Sequence, residues 1–86
     1  MDGRVFDQAE RWLDSDGIVH RIVDITDAHL ANTIDFLVRE ADLCLTEYRH
    51  FADVADGTDP RDWVSKTVVM QALRAEATRR GIEVPR

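Results

Sequence analysis

The feature that most constrains this chain is an uninterrupted row of apolar residues between Leu30 and Phe51. Its members recur at alternating steps of four and three, which places them on one face of an α-helix. They are Leu30, Ile34, Leu37, Ala41, Cys44, Tyr48 and Phe51. With no glycine or proline to interrupt it, the row predicts one long helix over about residues 27–52.

Capping signals set the ends of this helix and of a second one. Thr26 can accept the backbone N–H bonds of a new helix, and Asp27 suits the positive end of its dipole. A second helix is predicted over about residues 60–80, between the cap Asp59 and Gly81, which suits the left-handed position after a helix. Two long helices joined by a short loop pack antiparallel.

The segment before these helices reads best as a β-hairpin over about residues 10–23. Asp16-Gly17 suits a two-residue turn, and the run over 18–23 is rich in β-branched residues. The alternative is a short helix over residues 4–13, where apolar residues also fall at helical spacing.

A two-residue turn also fixes the expected register of the hairpin. Leu13 would face His20, and Trp12 would face Arg21. In that arrangement the guanidinium of Arg21 would lie against the indole of Trp12.

Length and composition place the chain in the mainly α class with a minor β part. Its 86 residues, 44 % hydrophobic and 33 % charged, are expected to form one domain over residues 1–86. We find no apolar run long enough for a membrane span or a signal peptide, so we expect a cytoplasmic protein with no membrane partner.

The predicted helices have wider apolar faces than a helical hairpin can cover, and the small β-hairpin cannot cover the remainder. We therefore expect a homo-oligomer. Its interface would use the heptad row and the tryptophan of the second helix: Leu30, Ile34, Leu37, Cys44, Tyr48 and Trp63.

Charge argues against direct nucleic-acid binding. Seventeen acidic against eleven basic residues give a net charge of −6, whereas phosphate binding needs clustered Lys and Arg. The distribution is uneven: residues 1–60 hold five arginines against fourteen acids, or −9, and residues 61–86 hold six basic against three acidic residues, or +3. This asymmetry either helps two adjacent elements or neighbouring subunits to pair, or it indicates an anion site built from Arg74, Arg79, Arg80 and Arg86.

Few residues indicate chemistry. Trp12 could stack on a planar ligand or be buried in a core or interface, and Arg79 and Arg80 could bind phosphate. Asn32 could make directional hydrogen bonds to a partner or serve packing and register. His29, together with Asp24, Asp27 and Asn32, could hold a metal or activate a water, or it could serve the helix cap.

Catalysis and metal binding have little support in the sequence. The three histidines are too scattered to predict a metal site, and Cys44 lies in the heptad row as a small hydrophobic residue. With no catalytic or phosphate-binding motif present, we expect no cofactor and no enzyme activity.

Two stretches of the chain carry a resemblance. The first contains Trp12, Asp16-Gly17, Ile22, Asp24-Ile25-Thr26-Asp27, His29-Leu30, Asn32-Thr33-Ile34 and Leu37. The second contains Ala72-Leu73-Arg74-Ala75-Glu76-Ala77 and Arg79-Arg80-Gly81-Ile82. Together they resemble a group of short, functionally uncharacterised tailed-phage and prophage proteins, in which Met and Leu are usual at the positions of Ile25 and Ile82. The resemblance implies a phage accessory protein in a bacterial host and brings no known activity, cofactor or catalytic residue.

Three functional hypotheses follow. The first is a non-enzymatic phage protein, an oligomer that binds a host protein and modulates a host process or defence. The alternative is an oligomeric sponge for a small anionic nucleotide, with Arg79 and Arg80 on phosphate and Trp12 or Tyr48 on the base. The third is an acidic mimic of DNA, suggested by the charge of −9 over residues 1–60.

Overall fold

The computed structural model describes residues 3–13 and 16–84 and is mostly helical, with a small antiparallel hairpin before the helices. Among the described residues, no helix combines the length and apolar character needed to cross a bilayer. In chain order the elements are a 3-10 helix (Gly3–Asp7), β1 (Arg11–Leu13), β2 (Val19–Arg21), a second 3-10 helix (Ile22–Asp24), α1 (Asp27–Arg39), α2 (Ala41–Tyr48), α3 (Pro60–Ser65) and α4 (Val68–Arg80).

The predicted helix caps are confirmed. The Thr26 hydroxyl accepts the His29 N–H at 3.1 Å, and the Asp59 carboxylate accepts the Asp62 N–H at 2.9 Å. Gly81 takes the left-handed conformation, with φ of 73°, and ends the last helix. Local side-chain chemistry therefore sets where the helical region over 27–80 begins and ends.

The prediction of one continuous helix over 27–52 is wrong. The backbone bends at Glu40, with φ of −106° and ψ of 30°, and separates α1 from α2, which ends at Tyr48. After this bend α1 packs mainly on α4, whereas α2 packs on α3 and on the first 3-10 helix. No glycine or proline signals the bend, so tertiary packing decides it rather than local propensity.

The second long helix, predicted over 60–80, is also divided. Thr67 lies between α3 and α4, where its hydroxyl accepts the Met70 N–H at 3.2 Å and donates to the Val64 carbonyl at 2.8 Å. Four short helices therefore replace the predicted hairpin of two long ones.

The β-hairpin lies where it was predicted, but its register differs by one residue. Trp12 faces His20 and Leu13 faces Val19. Five residues separate Leu13 from Val19, an odd number that a two-residue turn cannot close symmetrically. Part of that turn, residues 14–15, lies outside the described residues.

The new register removes the expected contact between Trp12 and Arg21. Arg21 faces Arg11 instead, and its guanidinium lies 3.7 Å from the Asp24 carboxylate. For residues 4–13 the sequence left both a helix and a strand possible. The structure has both kinds of element there: a 3-10 helix at Gly3–Asp7 and a strand at Arg11–Leu13.

One chain covers most of the surface that we expected a second copy to cover. Leu30, Ile34, Leu37 and Cys44 are 0 % exposed within the single chain. Tyr48 and Trp63, the other predicted interface residues, are half-buried. The two helix breaks explain this burial, because shorter helices fold back and enclose both halves of the heptad row.

Candidate functional site

The residues predicted to bind a ligand take up separate positions, most of them structural. Trp12 is 4 % exposed and belongs to the core. Its cross-strand partner His20 contacts His29 of α1 edge to face, with ring centroids 4.9 Å apart. Asn32 lies exposed on α1. The tryptophan therefore offers almost no surface for stacking. The histidine pair joins the hairpin to α1.

Arg80 is engaged by the protein itself. Its Nε donates to Glu76 Oε2 at 2.7 Å, and its terminal nitrogens donate to the carbonyls of Ile25 at 2.7 Å and Val23 at 3.1 Å. A further bond of 3.0 Å reaches the Asp27 carboxylate at the start of α1. With its side chain only 14 % exposed, Arg80 ties the end of α4 to the chain that enters α1.

Arg79 uses the same carboxylate. Its Nε donates to Glu76 Oε1 at 2.9 Å, and a terminal nitrogen donates to the other oxygen. Hydrogen bonds from Arg79 and Arg80 lower the pKa of Glu76 from 4.5 to about 2. We call these three residues the arginine clamp. Because Glu76 accepts from both guanidinium groups, the clamp does not support the phosphate site of the nucleotide hypothesis.

Cys44 has the surroundings of an inert thiol. It is fully buried, and burial together with the nearby charge of Glu40 raises its pKa to about 11. Across residues 3–13 and 16–84, no three or more His, Cys, Asp or Glu side chains are grouped so that they could hold a metal ion.

A cleft of about 480 Å³ lies beside the start of α4 and combines aromatic and acidic side chains. Its aromatic wall is formed by Tyr48 and Trp63, whose ring centroids are 5.2 Å apart at an interplanar angle of 46°. Phe6, fully buried, packs against Trp63 with centroids also 5.2 Å apart. The buried ring supports the two half-buried rings from below and fixes their position.

Three carboxylates line the same cleft: Asp7, Asp53 and Asp62. Asp7 accepts the Tyr48 hydroxyl at 3.0 Å, and this bond raises the pKa of Tyr48. Among the described residues that line the cleft, Lys66 alone carries a positive charge, and it lies 3.0 Å from the Asp62 carboxylate. Three aspartates against one lysine leave the cleft with a net negative charge. We call it the acidic aromatic cleft.

The connection between α2 and α3 forms one side of the cleft. The Ala55 carbonyl accepts from the Thr58 hydroxyl at 2.6 Å, from the Thr58 N–H at 3.3 Å and from the Arg49 guanidinium at 3.4 Å. Gly57 takes φ of 83°, a conformation that favours glycine. These bonds order the connection that carries Asp53, one of the residues that line the cleft.

Sequence reasoning found part of this site and gave it another role. Tyr48 and Trp63 were predicted to form an oligomer interface, and Tyr48 was also considered as a stacking residue. The carboxylates were missed because they come from three separate segments of the chain. In the sequence, the aspartates between positions 53 and 62 indicate only a connection followed by a helix cap.

Comparison of the chain with known protein families, with curated proteins and with solved structures gave no match. The site itself therefore supplies the argument for function.

Proposed function

We propose that this chain is a non-catalytic binding protein whose acidic aromatic cleft accepts a positively charged side chain, arginine above all, from a partner protein. The observation that carries the proposal is the placement of the Tyr48 and Trp63 rings beside three carboxylates in one cleft.

Arginine fits this combination for a physical reason. A guanidinium over an aromatic face is attracted by the negative face of the ring, and its planar group also stacks there. A carboxylate beside the ring can accept two parallel N–H bonds from the same group. The volume of about 480 Å³ lies within the usual range for small-ligand sites and admits one long side chain with part of its neighbours.

The charge of the whole chain supports a basic partner. A net charge of −6 attracts positively charged proteins over several ångströms before contact and accelerates their association. The resemblance to phage proteins supports a partner in a bacterial host, where such binding would modulate a host process or defence.

Neither of the other two hypotheses gains support from the geometry. The nucleotide sponge needs Arg79 and Arg80 for phosphate, and both donate to Glu76. The DNA mimic needs carboxylates massed on one face, whereas the acids of residues 1–60 are interleaved with the apolar row.

The test is a titration of 15N-labelled protein with N-acetyl-arginine amide, followed by NMR. N-acetyl-norleucine amide, a neutral side chain of similar length, is the matched ligand control. We expect arginine to shift the Trp63 indole signal and the amides of residues 53–58, with a dissociation constant on the order of millimolar because only one side chain binds.

Substitutions at the carboxylates separate the cleft from general electrostatic attraction. Asp53→Asn and Asp62→Asn are each expected to weaken arginine binding roughly three- to tenfold. Asp42→Asn removes the same charge from exposed surface of α2 that does not line the cleft, and should leave binding unchanged. Equal binding of the norleucine and arginine amides, or equal effects of all three substitutions, would contradict the proposal.

A further inference from the structure

The acidic aromatic cleft has an apolar part besides its two rings. Val54, Ala55 and Val68 line it together with the carboxylates. Val54 is half-buried, whereas Val68 is 49 % exposed and is one of the large hydrophobic residues that the described chain leaves exposed. A ligand in the cleft therefore meets aliphatic surface as well as charge and aromatic faces.

The exposed part of Val68 contributes little to the fold. Val68 is the first residue of α4, directly after the cap Thr67. A β-branched side chain loses conformational freedom in a helix, and exposed apolar surface returns nothing for that loss. The same surface becomes favourable once a ligand removes it from water.

The three carboxylates of the cleft are not equally available to a ligand. Asp7 accepts the Tyr48 hydroxyl at 3.0 Å, and Asp62 accepts from the Lys66 ammonium at 3.0 Å. Within the described part of the chain, the Asp53 carboxylate has no hydrogen bond or ion pair. A guanidinium that enters the cleft therefore pairs most favourably with Asp53.

We infer that the partner's arginine stands next to an aliphatic residue in its own sequence, and that this residue packs on Val68. The inference rests on the proposed arginine site. When the guanidinium pairs with Asp53, the apolar stem of the arginine lies along the rings and its backbone remains at the mouth of the cleft. Val68 is the most exposed apolar residue of the lining, so it lies at the same mouth. The residue beside the arginine is the one that can reach it.

The charges of the cleft favour an aliphatic neighbour over a charged one. Lys66, two positions before Val68, disfavours a second basic residue there. The three aspartates disfavour an acidic residue in the same way. A small polar side chain such as serine is tolerated, but it leaves most of Val68 in water. The partner sequence is therefore of a definite class, an arginine beside leucine, isoleucine or valine.

The test compares dipeptides in the NMR titration described above. The ligands are N-acetyl-arginyl-leucine amide and N-acetyl-leucyl-arginine amide, and the controls are the same dipeptides with serine in place of leucine. In at least one order, leucine is expected to improve affinity roughly fivefold over serine, because it buries apolar area on Val68. The Val68 amide signal should shift more with that leucine dipeptide than with its serine counterpart.

Substitution at Val68 locates the gain. Val68→Thr keeps the β-branched shape, so it should remove most of the preference for leucine and leave binding of N-acetyl-arginine amide within about twofold of wild type. Val23→Thr is the matched control, since Val23 is 53 % exposed and does not line the cleft. This control should keep the full preference.

The outcomes separate this inference from the proposed function. If arginine amide binds in the cleft but the leucine and serine dipeptides bind alike, the inference is wrong and the arginine site stands. If Val68→Thr keeps the preference for leucine as fully as Val23→Thr does, leucine packs elsewhere and the inference is wrong as well. If none of the arginine ligands binds, the proposed function fails, and the inference fails with it.

Discussion

The charged side chains at the two ends of α4 have opposite roles. At its carboxyl end, Arg79 and Arg80 share Glu76, and the side chains of Arg80 and Glu76 are almost enclosed. At its amino end, the acidic aromatic cleft has three aspartates and one lysine, and the Lys66 and Asp62 side chains are 72 % and 60 % exposed. One end uses its charges to join elements of the fold, whereas the other leaves an excess of negative charge for a ligand.

This difference shows why counting charges misleads. The residues after position 60 are net positive, which is compatible with pairing between elements of the fold and also with an anion site. Yet the two arginines nearest the end of α4 are bound to their own chain, and the candidate site carries the opposite sign. What decides the role of a charged residue is whether a partner within the fold already satisfies it.

The largest effect is expected from removing the buried arginine. Arg80→Met should lower the melting temperature by on the order of 5–10 °C, because several carbonyl oxygens and Glu76 lose a charged donor. Arg79→Met should lower it much less, because the Arg79 side chain is 66 % exposed and Arg80 still neutralises Glu76. Thermal unfolding followed by circular dichroism measures both. Equal shifts would show that the clamp does not depend on burial.

Lowering the pH is expected to have an intermediate effect on the stability of the folded protein. The folded protein holds the pKa of Glu76 at about 2, below its ordinary value of 4.5, so its stabilising effect is present above pH 4.5 and is lost as the pH falls toward 2. Urea unfolding of wild type and Glu76→Gln measures this loss. The advantage of wild type at about pH 6 should shrink between pH 4.5 and 2. An advantage that stays constant with pH would show that Glu76 is not held ionised.

The smallest effect is expected at the other end of α4. Lys66→Ala frees the Asp62 carboxylate and makes the cleft more negative, so affinity for N-acetyl-arginine amide should rise about two- to threefold. Arg61→Ala is the matched control, since this exposed cation on α3 does not line the cleft. The NMR titration described for the cleft carboxylates measures both variants. If the Lys66→Ala variant bound N-acetyl-arginine amide more weakly than wild type, the ligand would not bind in the acidic aromatic cleft.

The sequence predicted the caps far better than the paths of the helices. Thr26, Asp59 and Gly81 act through neighbours within a few residues, so local chemistry determines them. The bend at Glu40 depends on what α1 and α2 pack against, which no local signal contains. The break at Thr67 could have been predicted from the sequence, because a threonine that can cap a helix directly precedes the apolar residues that begin α4.

The candidate site was harder to predict than the fold. Tyr48 and Trp63 are far apart in sequence, and they meet only because α2 folds back onto α3. The carboxylate of Asp7 reaches them across 41 positions of the chain. Periodicity identifies which face of a helix is apolar, but it cannot show which distant segments complete a cleft.

The buried thiol of Cys44 makes it possible to measure how often the core of this protein opens. Cys44 is the one cysteine in the sequence, and inside the folded chain it is both enclosed and protonated at neutral pH. A thiol reagent can therefore label it only when the surrounding helices separate. Mass spectrometry can follow the labelling rate, and this rate measures how often α1 and α2 separate. No tag or dye that could disturb the packing is needed.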